Sequence, residues 1–214
     1  MRVVVNAAMS ADGKLSTRER EQIAISGPAD FRRVDELRAE SDAVMVGVGT
    51  VVADDPSLTV EDDSLLERSD QPARVVADSR IRTPADAQVL DDRAETYLLV
   101  AESAPPGFVA EMEDRGATVV VAGEDRVDLT AAFEDLAAAG IDQLMVEGGG
   151  ELIAGLFAED LVDDLRVYVG PMVIGGRDAP TLADGDGFVE EFPRLSLERV
   201  DRLGDGVLLC FSRA

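Results

Sequence analysis

The chain has 214 residues, 46% of them hydrophobic, which suits a globular fold with a sizeable core and rules out a disordered chain. Its formal charge is −24, Lys14 is its only lysine, and its acidic side chains are dispersed, a balance that argues against nucleic acid as a partner. It has no histidine and a single cysteine, Cys210, which excludes Ser-His-Asp chemistry, histidine-ligated metals, zinc clusters and an internal disulfide.

An acidic surface nearly without lysine is the composition of a halophilic protein, whose self-repulsion is screened by salt. No apolar run approaches the roughly 20 residues of a membrane span, so no membrane partner is expected. Met1–Asn6 reads as a strand rather than as a signal peptide. The expected location is therefore cytoplasmic.

Residues 2–9 read as a buried strand, followed by a turn around Asp12-Gly13 that carries Lys14. A helix is expected over 28–40, with Pro28 in its first turn, Ser26 as its cap, and Phe31, Val34 and Leu37 on one face. Ala43–Val46 is a second strand, and Gly47 opens a glycine-bearing turn that runs to Thr59. Residues 61–72 read as a polar loop. Ala73–Ala77 is a third strand, ending at Asp78-Ser79-Arg80. A fourth strand over 97–100, a helix over 105–114, a fifth strand over 117–121 and an alanine-rich helix over 128–139 follow, the last closed by Gly140.

The stretch 141–157 is a short apolar run, three glycines and a helix whose apolar face holds Leu152, Ile153, Leu156 and Phe157. Strand, glycine turn and helix leave backbone N–H groups open at a helix start, where a phosphate is favoured. Glu147 lies at the strand's carboxyl end, where open α/β sheets bind ligands. A Cβ at Gly149 is expected to block a ligand's close approach while disturbing the core little. Read locally, the glycines are also what a tight turn needs. Leu165–Ile174 reads as a long strand with Pro171 inside it, which suggests an edge or a bulge. Leu195–Leu203 and Val207–Ser212 form a hairpin around Gly204-Asp205-Gly206. Strands and helices alternate to residue 158 and strands dominate afterwards. That predicts a three-layer α/β fold, one domain over 1–214, with a mainly parallel central sheet and an antiparallel C-terminal hairpin.

Four blocks stand in a recognisable order: Asn6 to Lys14, Leu37 to Ala43, Gly47 to Thr59, and Val146 to Gly150. Together they resemble the reductase of riboflavin biosynthesis, both the C-terminal domain of the bacterial deaminase-reductase and its stand-alone archaeal counterpart, and the match covers essentially the whole chain. The resemblance implies a dihydrofolate-reductase-like fold, NADPH as cofactor and a homodimer. It also implies reduction of 2,5-diamino-6-ribosylamino-4(3H)-pyrimidinone 5′-phosphate to the ribitylamino form. It implies cofactor contacts at Thr50, Asp54 and Ser79, and a pyrophosphate cradle at Gly149, Gly150, Glu151 and Leu152. It implies substrate contacts at Arg38, Leu58 and Glu147. The sequence departs from many bacterial members at Glu61, where an arginine is common, and at Ile23, where an aromatic is common.

The chemistry of the residues is compatible with these roles. Arg80 and Arg82 follow the third strand and suit the 2′-phosphate that separates NADPH from NADH. A guanidinium at Arg38 can bind a phosphate bidentately, although on its helix alone it reads as an exposed partner of Asp42. Thr50 alone reads as a helix cap. Opening the ribosylamine ring and protonating the imine need a proton donor, for which Lys14 is the candidate. Glu147 can accept hydrogen bonds from pyrimidine amines. No metal is expected. The rival readings are another pteridine or folate reductase on the same fold, and a nucleotide-binding module without catalysis.

Overall fold

Parallel strands covered on both faces are near-continuous apolar runs, and three strands of this chain have that character. In β2 (Ala43–Gly47), β3 (Ala73–Ala77) and β4 (Thr96–Val100) almost every side chain is buried or nearly so. The computed structural model describes residues 1–21, 23–66 and 70–214, which fall into two compact units. The first comprises Met1 and residues 35–145; the second comprises 2–34 and 146–214.

In the first unit β5 (Thr118–Val121) completes a parallel run in the order β5-β4-β3-β2. Its helices are α2 (Val48–Asp54), α3 (Pro106–Asp114) and α4 (Leu129–Ala138). Val44, Val46, Val76, Leu98 and Val100 meet Val51, Leu58, Val89 and Met112 in its core. Asp128 caps α4 by accepting from the Ala131 N–H, 2.9 Å away. Gly140, at φ +96°, ends the helix as its spacing predicted.

In the second unit β1 (Arg2–Ser10) pairs in parallel with β7 (Asp164–Gly170), which pairs antiparallel with β9 (Gly206–Arg213), and β9 with β8 (Leu195–Leu203). Helix α5 (Gly150–Ala158) buries Leu152, Ile153 and Leu156 as expected. Strand β6 (Gln143–Gly148) begins in the first unit and ends in the second, and α1 (Pro28–Ala39) likewise has residues in both. The mainly parallel α/β fold with its antiparallel C-terminal hairpin is the one the sequence predicted.

Five local expectations differ from what forms. Val48–Asp54 is a helix, not a turn, with Gly47 at its cap and Thr50 inside it. The Gly27 carbonyl, not Ser26, takes the first helical hydrogen bonds of α1, from Asp30 and Phe31. Leu37 is buried as expected, but Phe31 of the same predicted face points outward, and the helix also buries the carboxylates Asp30 and Asp35. β7 stops at Gly170, because Pro171 has no N–H to continue a ladder. It is an interior strand flanked by β1 and β9, so its apolarity reflects burial. Of the polar loop 61–72, Asp63–Leu65 form a 3-10 turn, and residues 67–69 lie outside the described residues.

Candidate active site

In the first unit the predicted cofactor residues gather at the carboxyl ends of the parallel strands. Gly47 and Ala77 are register partners at the ends of β2 and β3, so α2 and the 78–83 loop start side by side. Thr50 and Asp54 are four residues apart and share a face of α2. Asp54 is half-buried at the helix's negative end and has no hydrogen-bond or ion-pair partner among the described residues. Burial pushes its carboxyl above the ordinary range. A half-buried carboxylate of this kind makes Asp54 a candidate ligand group.

The 78–83 loop is built by Asp78. One carboxylate oxygen accepts from the backbone N–H groups of Arg82 and Thr83 and from the Thr83 hydroxyl, each at 2.7 Å. The other oxygen is buried and has no hydrogen-bond partner among the described residues. Ile81 turns into the core at φ +54° and leaves Arg80 and Arg82 outside. The Ser79 hydroxyl accepts from the Val127 N–H at 3.0 Å, so this predicted cofactor contact is also a brace to the loop after β5.

The predicted substrate residues of this unit also come together. Arg38 does not pair with Asp42, whose carboxylate instead accepts from the Asp142 and Gln143 N–H groups. Its Nη1 donates to the Thr59 carbonyl at 2.8 Å, which holds α1 to the loop carrying Leu58. The Leu58 side chain is fully buried in the core while its backbone holds φ +56°. Any contact it makes with a substrate is through its backbone. A left-handed leucine costs energy, and such strain collects at functional sites. Asp35 ties down the following residues, accepting from Glu61 and Asp62 at 2.8 Å. Glu61 itself is exposed. Sequence reading missed both aspartates, since nothing local to Asp35 or Asp78 says what each clamps.

In the second unit Lys14, the glycine turn and the loop after β7 are linked. Lys14 Nζ donates to the Ala179 carbonyl at 3.1 Å, and Lys14 bridges Thr181. Asp184 N donates to the Gly150 carbonyl at 3.0 Å. A Cβ on Gly150 would lie 2.5 Å from both the Asp184 carboxylate and the Thr181 carbonyl. That glycine is therefore required by the protein's own packing. Gly149 caps α5 at φ +95° and, as a glycine, supplies no side-chain cap. Backbone N–H groups at a helix start suit a phosphate. Glu151 is exposed in the first turn, Leu152 is buried in the core, and Glu147 is half-buried two residues before Gly149. Asp12 fixes the strand β1 exit. Its carboxyl is held down at about 2 by hydrogen bonds from the Ser10 hydroxyl and the Ile174 and Gly175 N–H groups. A separate cavity of about 210 Å³ at the amino end of β4, lined by Leu90, Asp91, Thr96 and Arg115, holds none of the predicted residues.

No helix of the described residues is long and apolar enough to cross a membrane. The model of the RibD C-terminal domain family matches residues 1–209. The chain is 48% identical to the 2,5-diamino-6-ribosylamino-4(3H)-pyrimidinone 5′-phosphate reductase of Archaeoglobus fulgidus, over 95% of this chain and 94% of that one. It is 49% identical to the protein of the same name from Methanothermobacter thermautotrophicus, over 97% and 95%. Among solved structures, RibD of Acinetobacter baumannii superposes with a TM-score of 0.82 at 26% identity, and this chain spans 58% of its length. With its sequence blocks in order and its length matched from residue 1 to 209, the chain belongs to the RibD C-terminal domain family of riboflavin-biosynthesis reductases.

Proposed function

We propose that the protein is a single-domain NADPH-dependent reductase that converts the ribosylamino side chain of 2,5-diamino-6-ribosylamino-4(3H)-pyrimidinone 5′-phosphate into the ribitylamino form. The observation that carries this reading is the near-full-length similarity to two archaeal reductases of that name. It favours this substrate over folates and over a non-catalytic role.

Each unit offers groups suited to part of a nicotinamide dinucleotide. In the second, the glycine start of α5 suits a pyrophosphate at Gly149, Gly150, Glu151 and Leu152. In the first, Thr50 and Asp54 suit the sugar hydroxyls, and Arg80 and Arg82, which have no ion-pair partner among the described residues, suit a 2′-phosphate. When bound, the cofactor supplies the hydride. Arg38, braced on Thr59, takes the substrate phosphate, with the Leu58 backbone beside it. Glu147 accepts from the pyrimidine amines. Ring opening breaks the C1–O bond; the ring oxygen gains a proton as the glycosylic nitrogen loses one to form the imine. The imine takes hydride at C1 and one proton at nitrogen, so one proton is consumed overall. Lys14, whose Nζ also donates to the Ala179 carbonyl, protonates the ring oxygen, regains the proton lost by nitrogen and supplies the one consumed. The enzyme works in the cytoplasm, as a homodimer, at high salt.

The test follows NADPH absorbance with purified protein in concentrated potassium chloride. Consumption with the ribosylaminopyrimidine phosphate and none with dihydrofolate supports the reading. Consumption with dihydrofolate alone overturns it.

A further inference from the structure

Seven arginines of the first unit are described, and four have partners: Arg38 on Thr59, Arg74 on Asp91, Arg93 on Asp91 and Arg115 on Glu111. Arg80, Arg82 and Arg126 are exposed, and among the described residues none has an ion pair or a side-chain hydrogen bond. In a chain with 44 acidic and 20 basic residues, a partnerless arginine is the less expected outcome. These three are also not scattered. Arg80 and Arg82 lie on the loop after β3, and Arg126 lies on the loop after β5.

The two loops are stitched together. Val127, next to Arg126, donates its N–H to the Ser79 hydroxyl, next to Arg80, at 3.0 Å. The residues that follow β4 join both: Ala101 N donates to the Ser79 carbonyl at 3.2 Å, and Glu102 N donates to the Gly123 carbonyl at 2.8 Å. The acids close in sequence do not consume the guanidiniums. Asp78 is committed to the Arg82 and Thr83 N–H groups, and Asp128 to the cap of α4. Glu124 and Asp125 form no ion pair with Arg126.

We infer that Arg126 is the third cation of a cluster, with Arg80 and Arg82, that selects a phosphomonoester, here the 2′-phosphate of NADPH, and that Ser79 positions Arg126 through Val127. This rests on the reading that NADPH binds at this end of the strands. A phosphomonoester carries nearly two negative charges and three acceptor oxygens at neutral pH. Three guanidiniums on a braced pair of loops match that demand, whereas NADH offers this position only a hydroxyl. Ser79 is thus a positioning residue.

The experiment measures Kd for NADPH and NADH by fluorescence titration at one potassium chloride concentration. Wild type is compared with Arg126→Ala, Arg126→Lys and Ser79→Ala, and with Arg115→Ala as a control of equal charge change. Melting temperatures come from the same preparations. Arg126→Ala should weaken NADPH about tenfold or more, as one lost charge-assisted hydrogen bond does, and leave NADH unchanged. Arg126→Lys should recover part of the loss. Ser79→Ala should shift the NADPH-to-NADH ratio in the same direction without a matching fall in melting temperature, and Arg115→Ala should not shift it. A wild type that binds NADPH tightly but an Arg126→Ala ratio equal to wild type overturns the inference alone. A wild type that binds no NADPH overturns the proposed function with it.

Discussion

Gly149 carries two costs for any side chain. Its φ of +95° lies where only glycine is at ease, so Gly149→Ala strains the backbone by about 1–3 kcal/mol whatever the cofactor does. The sequence alone suggested a large loss of affinity with little change in melting. The structure predicts both: weaker NADPH binding and a fall in Tm of roughly 3–10 °C. Calorimetry and titration on one preparation decide, and an unchanged Tm would mean the turn relaxes. Asp54 should behave in the opposite way. Its carboxyl is raised by burial, so the folded state holds the proton more tightly than the unfolded state. Its contribution favours folding at low pH and is lost as pH rises through its folded pKa. Asp54→Asn should therefore melt no lower than wild type at pH 7, and the gain should vanish at acid pH. NADPH affinity should fall about tenfold. A lower Tm at pH 7 would show that Asp54 has a stabilising partner after all. The sequence alone places the candidates Thr50 and Asp54 together, because both lie on one short segment. It does not place Arg126 near Ser79, which is 47 residues away; only the fold brings the two loops together.

At the scale of elements, β3 is held by an interior cation. Arg74 is fully buried, and its guanidinium donates to the Thr96 hydroxyl, to the carbonyls of Gln88, Asp91 and Ala94, and to the Asp91 carboxylate. Burial pushes the Asp91 carboxyl up, but hydrogen bonds from Arg74 and Arg93 outweigh it and hold the carboxyl low. The whole 88–94 connection is wrapped around this one side chain. Arg74→Met should cost about 3 kcal/mol, because it leaves buried carbonyls unpaired. Asp91, one-third exposed, can return partly to water. Urea unfolding would show a lower midpoint at unchanged slope, while NADPH affinity per folded molecule should stay constant if the cofactor binds at the proposed site, at the other end of the strands. The sequence hid Arg74 inside an apolar run that still read as a strand. The strands and most helix ends were legible because burial on both faces and glycine stops leave local marks. The outward Phe31 was not, since the face α1 buries is set by Asp30 pairing with Arg33 and by Asp35 clamping Glu61. Those polar contacts turn the buried side away from Phe31 while Leu37 stays inside.

At the scale of the whole molecule, the apolar face that could meet a partner is on the C-terminal hairpin. β7 is interior, whereas Leu197, Val200 and Val207 of the hairpin are among the exposed apolar side chains. A bulge between Leu197 and Arg199 shifts the register of β8, so that Leu197 faces Phe211 and Val200 faces Leu209. Phe211, Leu209 and Val207 alternate along β9 and share a side of the hairpin. The bulge thus places Leu197 and Val200 on that same side. Both are more than half exposed. An outer strand with such a face invites cover, and a second copy of this chain is the partner the family resemblance implies. Each copy carries −24, so the charges oppose association and salt must screen them. Light scattering at micromolar protein should therefore give twice the chain mass in concentrated potassium chloride and fall towards one chain mass as salt is lowered. Leu197→Glu with Val200→Glu should give the single-chain mass at every salt concentration, with the far-ultraviolet circular dichroism unchanged. Wild type that stays monomeric in concentrated salt would remove the dimer. A dimer that survives the double substitution would place its interface on another face.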